Sequence, residues 1–126
     1  TMAQIRTLPV TEPVRVDVRR VGDIVNELGE SAAQNVIELA LEQLAGALTA
    51  TDEALARGDL AGATGHADQL SRLAWQIGLL SLAGVAMDLC ACAERHDPGA
   101  LAAVRARLMR VGNRSLTAIW DRAGIG

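Results

Sequence analysis

The sequence predicts an all-α protein, an up-down antiparallel four-helix bundle with a short additional N-terminal helix. Three observations carry this. Apolar residues recur with helical spacing from residue 17 onward, while strand signals are weak. Asp, Gly and Pro punctuate the periodic stretches and leave connectors of only a few residues. Half of the 126 residues are apolar and two Trp are the only aromatics, so Leu, Ala, Val and Ile must build the core. Short connectors force amphipathic helices to pack antiparallel to their chain neighbours, and this length buries a core without a metal or disulfide staple.

Residues 1–16 contain Pro9 and Pro13 and show no helical period; they read as an extended or flexible arm ahead of a bundle spanning 17–126. Asp17 can cap a short helix with Val18, Val21, Ile24, Val25 and Leu28 on one face, stopped by Gly29. Ser31 opens a long helix whose Val36, Ile37, Ala40, Leu41, Leu44, Leu48 and Leu55 line one face. Gly58 ends it. Asp59 caps the next helix, which runs from Leu60 to about Ile77 and is broken by Gly78. A fourth spans about Leu80 to Arg95 through Leu82, Val85, Ala86 and Leu89. Asp97 at the N-cap and Pro98 at the first helical position start the last helix, which carries Leu101, Val104, Leu108, Val111, Leu116 and Ile119 to near Arg122.

Composition excludes several functions. A net charge of −3 argues against a nucleic-acid or anionic-membrane surface, which needs clustered base. All twelve basic residues are Arg; with no Lys there is no Schiff-base chemistry. The most apolar stretch, 77–87, is interrupted by Ser81 and stops at Asp88, too short to span a bilayer. Nothing reads as a signal peptide, and two Cys make no disulfide framework, so the expected setting is the cytoplasm.

Nor does an enzyme site emerge. There is no Gly-rich phosphate loop, no Ser-His-Asp set and no Glu-x-x-His pair. Cys90, Cys92 and His96 form C-x-C-x3-H, but Cys90 lies about 200° round the helix from Cys92, so the three do not converge as ligands. No metal and no cofactor is expected. His66 falls in one stripe with Ala63, Leu70, Leu73 and Ile77, in or beside the core, whereas His96 belongs to a solvated connector. Opposite that stripe lie Asp68, Ser71, Arg72 and Trp75. An outward Trp beside an Arg is the residue pair that dominates binding hot spots, so this face is a candidate partner-docking surface. The bland alternative folds Trp75 against a neighbouring helix.

The stretch Ala67-Asp68-Gln69-Leu70-Ser71-Arg72-Leu73-Ala74-Trp75-Gln76-Ile77-Gly78 lies without a gap over the pattern A-H-x-L-K-G-x-A-x-x-x-G. Leu82-Ala83 and Asp88-Leu89 continue the rhythm, and Leu28-Gly29-Glu30 and 54–59 match the expected helix junctions. Over residues 17–122 the chain thereby resembles the histidine-phosphotransfer (HPt) domains of two-component phosphorelays. The resemblance implies an HPt-like four-helix bundle acting in signal transduction and binding a response-regulator receiver domain or a sensor kinase.

Its departures fall on the functional positions. Asp68 stands where the phosphoacceptor His would be, Ser71 replaces the Lys that steadies the phosphoryl group, and Arg72 replaces the Gly that admits a receiver domain. A neutral imidazole can attack an aspartyl phosphate and hold the phosphoryl group, whereas a carboxylate adds negative charge beside it. The reading that follows is a bundle unable to carry phosphate that acts by docking through Asp68, Ser71, Arg72 and Trp75, as a monomer or weak dimer. Two alternatives stand beside it. One is an active phosphocarrier using His66, about 160° from Asp68 and two residues out of register. The other is a structural or oligomerisation bundle with no relay role, in which Trp75 is buried against a second copy. A metal-dependent enzyme comes last.

Overall fold

The computed structural model describes residues 13–122. Five helices follow one another: α1 (Val18–Leu28), α2 (Glu30–Ala56), α3 (Leu60–Gln76), α4 (Leu80–Glu94) and α5 (Pro98–Arg122). Their limits agree with the expected ones to within a residue or two.

The reasons are local. Asp17 accepts a hydrogen bond from the Arg19 amide at the start of α1, and Asp59 accepts one from the Gly62 amide at the start of α3. Asp97 does the same for Ala100, with Pro98 opening α5. Gly29, Gly58 and Gly78 close α1, α2 and α3 with positive φ. His96 takes that left-handed role after α4 at φ 53°, so the connector His caps a helix end while staying exposed.

Each long helix packs on its chain neighbour, and α5 returns to touch α2; α3 and α5 do not meet, and neither do α2 and α4. The shared core holds Ile37, Leu44, Leu48, Leu70, Leu82, Leu89, Leu108 and Ile119. On α1 only Val21 and Ile24 are buried; Val18 and Leu28 are exposed. On α2, Val36 is exposed and Leu55 half-buried, while Ala33, Ala47, Thr51 and Ala54 join the buried face that the large apolar residues predict.

One feature has no helical signature. Residues 13–17 lie as an extended strap across the α3–α4 turn. Val16 bridges to Leu79, the Arg15 amide donates to Ser81 Oγ at 2.8 Å, and the Asp17 amide donates to the Gly78 carbonyl at 2.7 Å. Val14 and Val16 pack partly buried on the core. The expected N-terminal arm is thus docked over this part, while residues 1–12 lie outside the described residues.

Two stability predictions follow from this packing. A Cβ on Gly78 would stand 2.9 Å from the Asp17 carbonyl oxygen, whereas one on Gly58 would meet nothing within 4 Å. Both substitutions to Ala incur the left-handed penalty of about 1 kcal/mol, but only Gly78→Ala also displaces the strap. In urea melts Gly78→Ala is expected to lose about 1 kcal/mol more than Gly58→Ala; equal losses would show that the strap adds nothing. Ser115 is fully buried and its hydroxyl has no hydrogen-bond partner among the described residues. Ser115→Ala is therefore expected to leave stability unchanged or raise it by up to about 1 kcal/mol, and a clear loss in the same melts would reveal a hidden partner.

Candidate functional site

The sequence stripe on α3 is rotated in the structure. The buried residues are Ala63, Ala67, Leu70, Ser71 and Ala74, with Ile77 just beyond the helix. Two expectations change as a result. Ser71 is not on the outward face: it is 9 % exposed, and its hydroxyl donates to the Ala83 carbonyl on α4 at 3.2 Å. His66 is not in the core either; it is half-buried at the rim, and Ala67 fills the core position instead. The cause is size. Alanine and serine weigh little in an apolar pattern, yet α3 touches both α2 and α4 and buries a broad arc of small residues.

The other three predicted residues share one exposed face. Asp68 Oδ2 pairs with Arg72 Nη2 at 3.2 Å, one helical turn apart and both well exposed. Such an exposed pair adds at most a few tenths of a kcal/mol. Its chief effect is to hold both side chains along the helix. Trp75, two turns beyond Asp68 and on the same side, is 67 % exposed, so it is not folded against a neighbour.

Across α4 the surface continues. The hydrogen bonds Ser71 to Ala83 and Cys90 to Thr64 fix one antiparallel register, which sets Asp68 level with Ala86 and Met87. Met87 is 63 % exposed. Sequence reasoning did not single it out, although the signal was present: Met87 lies about 150° from the centre of the Leu82, Val85, Ala86, Leu89 stripe. An exposed Met and an exposed Trp flanking an ion pair make an adaptable apolar surface with a charged centre.

The two cysteines diverge as their spacing predicts. Cys90 is half-buried, and its thiol donates to the Thr64 carbonyl at 3.6 Å. Cys92 is buried and accepts from Arg95 Nη2 at 3.2 Å. Among the described residues no three His, Cys, Asp or Glu side chains gather as metal ligands. Burial holds the Cys90 thiol pKa above its ordinary value, and the negative charge of Asp68, then of Glu94, adds to the effect. Cys90 should therefore stay protonated through neutral pH and react slowly with a maleimide. Asp68→Asn is expected to shift its rate–pH profile to lower pH; an unmoved profile would separate the two groups.

The chain matches no family model, no curated protein and no solved structure at a significant level.

Proposed function

We propose that this chain is an HPt-like signal-transduction domain of a cytoplasmic two-component phosphorelay that has lost its phosphoacceptor. In this reading α2 to α5 form the up-down antiparallel four-helix bundle and α1 is the additional N-terminal helix. The chain acts by binding a receiver domain or sensor kinase through Asp68, Arg72 and Trp75, competing with a true relay partner. The observation that carries the reading is Trp75, largely exposed on the same α3 face as the Asp68–Arg72 pair. An isolated exposed Trp is costly to leave in water, and a docking partner removes that cost.

The chemistry agrees. A phosphoryl group brought to Asp68 would meet a carboxylate where an imidazole nitrogen is needed. The hydroxyl of Ser71 is turned into α4 and can give it no stabilising contact. Arg72, the cation on the same face, is paired with Asp68. Phosphate carried on His66 is the second reading, favoured by the half-exposed position of that side chain at the edge of the core.

The test mixes the protein with receiver domains bearing a radiolabelled aspartyl phosphate. The unmodified chain is expected to bind a receiver while taking no base-stable label. Asp68→His with Arg72→Gly should gain one. Ser71 is left in place because a Lys there would have to thread its ammonium out of the α3–α4 contact. Trp75→Ala should weaken binding by about thirtyfold, the scale of a hot-spot residue. A base-stable label on the unmodified chain would transfer the acceptor role to His66. Binding unchanged in Trp75→Ala would remove this face from the account.

A further inference from the structure

Arginine collects on one side of this acidic chain. Arg107, Arg110 and Arg114 recur at i, i+3 and i+7 on α5, so they share one side of it. Arg105 lies about 160° round from Arg107 and faces α2 instead, where it pairs with Asp52. The open groove between α2 and α5, where Trp120 stands beside Glu38 and Glu42, is edged by acid rather than base. The basic side of α5 adjoins α4. There Arg107 Nη1 lies 3.5 Å from Asp88 Oδ2. That pair fixes the antiparallel register of the two helices, setting Arg95 level with Ala100 and Ser81 level with Arg114. The strap brings Arg15 to the Ser81 level, because its amide donates to Ser81 Oγ.

Two adjoining hollows of about 380 and 230 Å³ run along the α4–α5 seam on this side, and Asp88 and Arg107 line both. Arg95 belongs to the first and Arg15 to the second. Asp88 is the acid in either lining. Glu94 lies one turn from Cys90 on the α3 side of α4, and Asp121 lies two turns beyond Arg114, past the start of α4. Arg15, Arg110 and Arg114 are exposed and make no ion pair among the described residues. Between these charges the walls are small, with Gly84 and Ala91 on α4 and Ala100 and Ala103 on α5.

We propose that this seam docks an acidic helix of another protein, one that carries Asp or Glu side chains two turns apart along one side. Charge complementarity selects the sign of the partner: a row of arginines with one acid among them calls for carboxylates, which the guanidinium fork grips through two parallel hydrogen bonds. The levels select the spacing. Arg95, Arg107 and Arg114 stand at successive levels seven residues apart, about 10 Å each, which is the repeat of one side of a helix laid along the seam. The walls select the helix. Both are helices whose backbone groups are bonded internally, so an extended segment would leave its own amides and carbonyls unmatched. A helix brings none unmatched, and Gly84, Ala91, Ala100 and Ala103 let it approach closely. A nucleic acid fits less well, because no aromatic side chain lies on this side to stack a base: Trp75 belongs to the outward face of α3 and Trp120 to the α2–α5 groove.

The inference does not rest on the signalling reading, since α4 stands between this seam and α3. The test is fluorescence anisotropy with a labelled alanine-based helical peptide that carries Glu at every seventh position. The peptide is expected to bind, and more weakly as salt is raised. The same peptide with Gln for Glu, or with its Glu residues moved to different sides of the helix, should bind at least about tenfold more weakly. Arg107→Gln with Arg114→Gln should cost at least about tenfold as well, with unchanged helix content by circular dichroism. Arg57→Gln, which removes an exposed charge from the α2–α3 connector, should cost nothing. No binding up to about 1 mM peptide overturns the proposal, and equal binding of the peptide with displaced Glu overturns the helical register. Tighter binding of single-stranded DNA or of phosphatidylserine vesicles would give the seam to a phosphate polyanion instead. A dimer mass in sedimentation that the Arg107 and Arg114 substitutions abolish would give it to a second copy; either result overturns the acidic helix.

Discussion

Close approach between helices, made possible by alanine, is the constraint on which the remaining structure depends. Four of the five buried positions of α3 are Ala or Ser, and α4 answers with Ala83, Ala86 and Ala93. With so little side chain between them, backbone carbonyls of one helix come within reach of the next, as in the bonds from Ser71 to Ala83 and from Cys90 to Thr64. The same economy operates between α2 and α5, where an ideal Cβ on Gly112 would stand 2.6 Å from a Leu48 methyl carbon. A core this thin has no room for an indole. Both tryptophans therefore lie outside it, and the α3 face of interest is where one of them emerges.

Helix limits were legible because they rest on local chemistry. Asp17, Asp59 and Asp97 cap as their sequence context predicts, and Gly29, Gly58 and Gly78 adopt positive φ where a helix must stop. The outward placement of Asp68, Arg72 and Trp75 was legible too, since these polar or bulky residues recur at helical spacing on one side of α3. Ser71 and His66 were misplaced because apolar spacing weights large side chains, and Leu73 drew the predicted stripe toward His66. In the structure Ala67 and Ala74 mark the true centre, with Leu73 at its margin. The strap was invisible for a different reason. Its bonds are mostly between backbone groups, which every residue carries, so only the Ser81 hydroxyl leaves any trace in the sequence.

The strap also bears on how the α3 face is presented. Trp75 sits in the last turn of α3, a position where helices commonly fray. Here the end is held: Arg20 Nε donates to the Gln76 carbonyl at 2.7 Å, and the Asp17 amide to that of Gly78. A carbonyl that would otherwise face water is satisfied by a residue 56 positions away in the chain. The exposed indole is therefore mounted on a fixed end, which lowers the entropy lost when a partner closes over it.

The placement of the two indoles also determines what light can report about this protein. With no Tyr or Phe in the chain, Trp75 and Trp120 are its only aromatic chromophores. Each is already substantially hydrated in the folded state, so unfolding changes their surroundings little and intrinsic emission is a poor gauge of folding. Covering either one would shift its emission to the blue. Because one indole marks α3 and the other the α2–α5 groove, replacing either with Phe leaves a single built-in fluorophore that watches one face of the molecule at a time.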